Sequence, residues 1–342
     1  MVVINFWADK RVLITGGNGF IGSWLTDKVV SSGAKTTLLI KKDDPVGITN
    51  IPVSAKKAEL VYGDLRDAHL MEKLCADKDI ILHLAAVTQV LYSIKYPQET
   101  VEVDIIGTLN ILEAMRKKND DAFLVFTSTD KVYGEPKYLP IDEEHPLSAK
   151  SPYDASKLGA DRLAYSYYVT YGLNESTSRC SNIIGGRDYN ALRAIPSFIY
   201  MLMGGRPPVI RSDGKLLRDY MYVDDAVRAI MMLAEKPKKS KGKVFNFGTG
   251  KPTSVLELAT KVAASYGSNL QPVVLGRNTA GEIGKQYLTA KLAEAELGWK
   301  AAVLLDESVK RTVEWYKQNP SWLDMIRKNS EYYGFDIESL YR

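Results

Sequence analysis

The segment Tyr153-Asp154-Ala155-Ser156-Lys157 places a phenol and a primary amine four residues apart. Four residues are about one helical turn, so the two side chains would share a face with Cβ atoms roughly 5–6 Å apart. A neighbouring cation stabilises a phenolate, which would let Tyr153 accept a proton well below the roughly pH 10 of free tyrosine. Such a pair is equipment for oxidising an alcohol. Alone it equally describes a solvated helix face, and its setting decides between the two. Upstream, Val12 to Thr15 is an apolar run of strand type, followed by glycines at 16, 19 and 22 and a helical pattern from Ser23. Glycine permits a tight turn there and lets the backbone approach a pyrophosphate held at the positive end of the next helix. The turn closes a strand, opens a helix and precedes a second strand, which is the context that makes it a dinucleotide-binding signal.

The elements that must hold these residues read as strand-like runs alternating with helical stretches. Strands are expected at 11–15, 35–40, 58–62, 80–84, 122–127 and 176–180. Such alternation predicts a parallel sheet covered by helices on both faces, an α/β fold. Long helices are expected at 101–118 and 153–171. Beyond Asn182 the pattern loosens, with a helix from Asp224, a strand at 244–247 and helices at 255–266, 306–318 and 321–328. Pro207 to Arg211 reads as an edge strand, since proline cannot donate to a central ladder, and Asp213-Gly214 as a turn. Asp224 reads as a helix N-cap, and His83, in the fourth strand, as a core residue.

Composition narrows the function classes. The 342 residues carry 45% hydrophobic and 25% charged residues, ordinary globular values. A formal charge of +4 is slight, and the densest basic run, Lys236 to Lys243, reads as an exposed loop, so no nucleic-acid partner is expected. Cys75 and Cys180 are far apart, with no zinc or disulfide spacing, and no metal is expected. No run reaches the roughly 18 apolar residues of a membrane span, and the residues before the first strand offer no apolar stretch that could act as a signal peptide. A soluble protein of the reducing cytoplasm, without a membrane partner, is the expectation.

Further motifs stand in a definite order: Tyr62-Gly63-Asp64-Leu65-Arg66-Asp67, Leu82-His83-Leu84-Ala85-Ala86, Thr127-Ser128-Thr129-Asp130-Lys131-Val132-Tyr133-Gly134 and Arg218 to Asp225. With the glycine turn and the Tyr-Lys pair, they resemble the extended short-chain dehydrogenase/reductase family, in its nucleotide-sugar branch of 4,6-dehydratases and 4-epimerases. The resemblance implies a Rossmann-type doubly wound sheet with a smaller C-terminal α/β lobe for substrate. It implies residues 1–181 as the cofactor domain, with 224–248 returning to it, and 182–342 mainly as the nucleotide-sugar lobe. The dinucleotide would contact Gly16, Asn18, Gly19, Phe20, Ile21, Gly22, Lys41, Asp64, Leu65, Leu84, Ala85, Ala86, Thr127, Tyr153 and Lys157. A nucleotide-diphosphosugar would contact Thr88, Ser128, Thr129, Asn182, Val209, Arg211 and Arg218. Asp64 could instead cap a helix. The helices at 101–118 and 153–171 would dimerise as a four-helix bundle.

Reaction type turns on Thr129, Asp130 and Lys131. In the dehydratases that the chain resembles, the residues matching Asp130 and Lys131 are acid and base, whereas epimerases carry small residues there. Oxidation at C4 acidifies the C5 hydrogen, so a base can remove it while an acid assists loss of the C6 oxygen as water. Lysine at 131 departs from the commoner glutamate and resembles the CDP-glucose 4,6-dehydratases; it can act as base only if burial or a nearby charge lowers its affinity for a proton. Asp104 stands where relatives carry asparagine, and Thr279, two residues before Gly281-Glu282, where epimerases often carry arginine. For the cofactor, Ile40-Lys41-Lys42-Asp43-Asp44 offers both a base for a 2′-phosphate and acids for a 2′-hydroxyl. NAD is the expectation, with NADP open.

Overall fold

The computed structural model describes residues 5–43, 49–51, 56–277 and 282–337; Asp44, Thr279 and Gly281 lie outside them. In chain order the first strands are β1 (Arg11–Thr15), β2 (Lys35–Ile40), β3 (Glu59–Tyr62), β4 (Ile80–His83), β5 (Phe123–Thr127) and β6 (Asn174–Cys180). The chain then makes β7 (Asn182–Ile184), β8 (Val209–Ile210) and β9 (Leu217–Tyr222), returns as β10 (Lys243–Phe247), and ends its strands with β11 (Pro252–Ser254), β12 (Val273–Val274) and β13 (Lys285–Gln286). Seven of these form one parallel sheet in the order β10-β6-β5-β4-β1-β2-β3. Its central strands are apolar and buried on both faces, as a sheet covered by helices on each side requires. The winding reverses between β1 and β4, and at such a point the strand ends diverge to leave a crevice. A second sheet joins β11, β9, β13 and β7, while β8 pairs with β12.

Helices α1 (Phe20–Ser31), α2 (Ala68–Cys75), α3 (Val90–Lys95), α4 (Pro97–Val101), α5 (Gly107–Lys118) and α6 (Pro152–Tyr171) flank the large sheet. Helix α6 has local reasons for both ends: Ser151 and Asp154 form a capping box, Pro152 opens the first turn, and Gly172 at φ 74° closes it. The continuous helix expected over 101–118 is interrupted instead by a π-helical segment, Glu102–Ile106. That widened turn buries Asp104, whose carboxylate accepts from the Val87 amide at 2.7 Å and the Ser156 hydroxyl at 2.6 Å. Later helices are α7 (Ala194–Met203), α8 (Val223–Glu235), α9 (Pro237–Ser240), α10 (Val255–Tyr266), α11 (Lys291–Leu297), α12 (Leu305–Gln318) and α13 (Trp322–Tyr332). Helices α7, α10, α12 and α13 bury their own core around Ile199, Leu258, Tyr316 and Trp322.

Three local expectations are corrected. The basic run at 236–243 is not wholly a loop, since Pro237–Ser240 form a helical turn and Lys243 opens β10: Lys236 and Lys239 donate to the Leu297 and Glu296 carbonyls at 2.6 and 2.9 Å, neutralising the negative end of α11. Asp224 is no N-cap, because α8 opens one residue earlier, with Tyr222 at the cap. The cap of α2 is Asp67, which accepts from the Leu70 amide at 3.0 Å; Asp64 pairs with Arg66 at 2.7 Å. His83 is buried between the Thr15 and Thr108 hydroxyls, at 2.7 and 3.0 Å, and burial pushes its imidazole down to about 3. Among the described residues no helix is long and apolar enough to cross a membrane, and no cluster of metal-ligating side chains occurs.

Candidate active site

A cavity of about 1070 Å³ opens at the reversal point of the sheet and extends to the second sheet. It gathers on one surface all the site residues read from the sequence. The glycine turn, Gly16 with Asn18 to Gly22, forms one wall, and Leu84, Ala85, Ala86 and Thr88 the wall beside it. Lys41, Asp64 and Leu65 follow the ends of β2 and β3, Thr127 to Lys131 follow from the end of β5, and Tyr153 and Lys157 lie on α6; Asn182 and Arg218 come from the second sheet, and Val209 and Arg211 from β8 and the residue after it.

The glycine turn is built for close approach. Gly16 has φ +70°, and a Cβ there would stand 2.8 Å from the Ala85 amide nitrogen. A Cβ on Gly22 would lie 1.9 Å from the Gly16 carbonyl. The turn can therefore keep its shape only with glycine at both positions, and it presents backbone at the mouth of α1. Several polar atoms around the cavity are buried without a hydrogen-bond partner: Gln89 Oε1, Thr127 Oγ1, Ser128 Oγ and Ser181 Oγ. Buried polar atoms are ordinarily paired, so this set fits a ligand rich in hydroxyl or amide groups. A dinucleotide and a hydroxylated sugar both meet that description.

At the centre, Tyr153 lies near Thr129, and its amide donates to Ser93 Oγ at 3.1 Å. The phenol is held above its ordinary value, by burial first and Asp104 second, while Arg193 and Thr129 pull it down. This differs from the expectation drawn from one-turn spacing. The Lys157 ammonium donates to the Thr127 carbonyl at 2.7 Å and lies 4.4 Å from the Phe126 ring centre. Burial lowers Lys157, and Asp104 and Asp161 oppose the drop. Asp104 thus ties the start of α6 to the loop after β4 and faces the lysine.

Asp130 and Lys131 begin a short 3-10 turn, Asp130–Tyr133, opened by Thr129, whose hydroxyl accepts from the Lys131 amide. Asp130 is buried, and its carboxylate is 3.3 Å from Lys131 Nζ. Lys131 Nζ also donates to Gln286 Oε1, and the Gln286 amide donates to the Asp130 carbonyl at 2.8 Å. Burial lowers Lys131, partly offset by Asp130.

Some cavity residues left no usable signal in the sequence. Arg193 precedes α7, pairs with Asp188 at 3.0 Å, and stands over the Phe20 ring at 5.8 Å. Arg187 adopts φ 68° and lies over Trp24. Tyr332 and Tyr333, at the end of α13, reach the same cavity. Lys41 is 3.6 Å from Glu99 and stands over the Tyr332 ring, so it is a paired cation rather than a free one.

The family model for GDP-mannose 4,6 dehydratase matches residues 13–312. The chain belongs to that family. Its relatives include a protein named "Putative UDP-glucose 4-epimerase" from Methanocaldococcus jannaschii, 36% identical over 90% of this chain and 99% of its own. The dTDP-glucose 4,6-dehydratase of Streptomyces niveus is 31% identical over 95% of this chain and 98% of its own. Within the family, the crystal structure of the dTDP-glucose 4,6-dehydratase of Streptomyces venezuelae, solved with NAD bound, superposes with a TM-score of 0.84 at 30% identity, covering 92% of this chain and 99% of that one. These three relatives are named for dTDP- and UDP-glucose, and none carries the CDP-glucose name expected from the lysine at 131.

Proposed function

We propose that the protein is a nucleotide-diphosphosugar 4,6-dehydratase that uses NAD and forms a 4-keto-6-deoxy sugar nucleotide. The observation that carries this reading is the juxtaposition of Asp130 and Lys131 with Thr129 and Tyr153 in one cavity. An enzyme that only inverts a hydroxyl has no use for a second acid–base pair. NAD would be held by the glycine turn and by Asp64, Leu65 and Leu84 to Ala86, and it would supply a reversible acceptor for the hydride that leaves C4 and returns to C6. Tyr153 removes the proton of the C4 hydroxyl, with Thr129 beside its phenol oxygen. Lys131, in its neutral form, takes the proton at C5, and Asp130 gives a proton to the departing C6 oxygen. Arg218, with Arg211 and Asn182, would grip the diphosphate, a role suited to planar guanidinium groups.

A 4-epimerase is the second reading, favoured by the Methanocaldococcus relative and by the pairing that keeps the Lys131 ammonium engaged. A non-catalytic dinucleotide sensor is disfavoured, since it needs neither Tyr153 nor the Asp130–Lys131 pair. Incubation of the purified protein with CDP-, dTDP-, UDP- and GDP-sugars, followed by mass spectrometry and NMR, decides. Loss of one water with a new ketone supports dehydration; unchanged mass with an inverted C4 hydroxyl replaces it with epimerisation.

Residues 1–181 with 224–248 would carry the dinucleotide, and the remainder would bind the sugar nucleotide. For cofactor choice, Glu99 beside Lys41 disfavours a 2′-phosphate. Glu99→Gln should therefore raise NADP affinity by roughly tenfold, the equivalent of about 1.4 kcal/mol, while leaving NAD binding nearly unchanged; calorimetric titration of both cofactors checks it. We also propose a cytoplasmic homodimer through α5 and α6, supported by the exposed apolar side chains of Val101, Ile106, Val169 and Tyr171 nearby. Light scattering should give twice the 38.1 kDa chain mass. A monomer at working concentration would remove the four-helix interface.

A further inference from the structure

We propose that Gln286 is the positioning residue of the Asp130–Lys131 pair, clamping that catalytic turn of the large sheet from the strand beside Arg218. Gln286 is wholly buried, on the two-residue strand β13, 155 positions along the chain from Lys131. Its two amide atoms have different obligations. Nε2 faces a carbonyl, Asp130 O at 2.8 Å, and must donate. Oε1 faces the Lys131 ammonium and must accept. The amide therefore has a single satisfactory orientation, and one side chain fixes both the backbone of the acid and the side-chain nitrogen of the base.

Its neighbours give the clamp a second connection. In the parallel pairing of β13 with β9, Gln286 is the register partner of Arg218. The guanidinium proposed to take the substrate diphosphate and the amide that holds the catalytic turn thus sit side by side on adjacent strands. Movement of β9 on capture of a diphosphate would be delivered directly to the Asp130–Lys131 turn. The groups that face Lys131 are Asp130 on its own turn, Arg218 on β9, Asp154 on α6 and Gln286 on β13. Of these, Gln286 alone is uncharged while accepting from the ammonium, so replacing it changes the lysine's surroundings without deleting a charge.

The inference deepens the dehydratase reading but can be tested apart from it. The titration of Lys131 is followed by isotope-edited NMR of the lysine Cε atoms in the full-length protein, with Lys131→Arg identifying the signal. Gln286→Leu removes the acceptor that favours the ammonium, and the midpoint should fall by roughly one pH unit; Gln286→Glu adds a negative charge, and it should rise by a similar amount. Opposite displacements are not produced by a general loosening of structure. Equal midpoints in all three proteins, or displacement of both variants in one direction, would overturn the role of Gln286. In turnover, the rising limb of the pH profile for water loss should move with the midpoint. Should the midpoints move as stated while no sugar nucleotide loses water, the clamp stands and the dehydratase reading fails.

Discussion

Tyr153→Phe should lower turnover by roughly a hundred- to ten-thousand-fold while leaving substrate binding and thermal stability nearly intact. The substitution deletes one oxygen from a ring that stays packed in the cavity wall, so what disappears is the proton acceptor for the C4 hydroxyl. The phenol is held above its ordinary value by burial and by Asp104, and it is drawn down by Arg193 and Thr129. A raised phenol ionises later, so activity that depends on the phenolate should climb with pH across the alkaline range. A positive charge brought beside the ring would oppose burial and move that rise to lower pH. Single-turnover absorbance of reduced nicotinamide, measured against pH, reads both effects. Wild-type turnover in the phenylalanine variant would remove Tyr153 from the chemistry.

Arg179→Met should destabilise the protein by roughly 3–5 kcal/mol, the usual cost of leaving one charge of a buried pair without its partner. The pair lies deep: Arg179 and Asp161 have side chains 2% and 0% exposed, and the guanidinium grips the carboxylate through two bonds of 2.9 and 2.8 Å. Arg179 also donates to the Tyr133 hydroxyl at 3.0 Å, and that hydroxyl donates to Asn246 at 2.7 Å. The network joins β6, α6, β10 and the end of the Asp130–Tyr133 turn. Asp161 stands one helical turn beyond Lys157, so the ion pair braces both catalytic elements from behind. Denaturant unfolding measures the loss. The double variant Arg179→Met with Asp161→Leu should recover most of it, because no isolated charge remains in the core. Equal stability of the single variant and wild type would show that the pair contributes nothing net.

The sequence by itself determined the central strands β1, β4 and β5 nearly to the residue, because continuous apolar runs between helical stretches report burial on both faces. β1 and β2 fall on the runs Arg11–Thr15 and Lys35–Ile40 read from the sequence. The same holds for the glycine turn and for α6, whose signals are local: backbone freedom at Gly16, a capping box at Ser151 and a stop at Gly172. What the sequence misread was where a longer-range partner overrode local preference. The helix read through 101–118 gives way to a π segment because Asp104 is needed by Val87 and Ser156, residues on other elements. Pro237–Ser240 form a turn because the end of α11 offers carbonyls to Lys236 and Lys239. Only the tertiary structure decided that Arg193, Gln286 and Tyr332 belong with the site, and that Lys157 turns to Thr127 rather than acting on the phenol alone. Local patterning records how each segment meets solvent, whereas contacts across a hundred or more residues exist only once the two sheets have packed and their side chains compete for the same few partners.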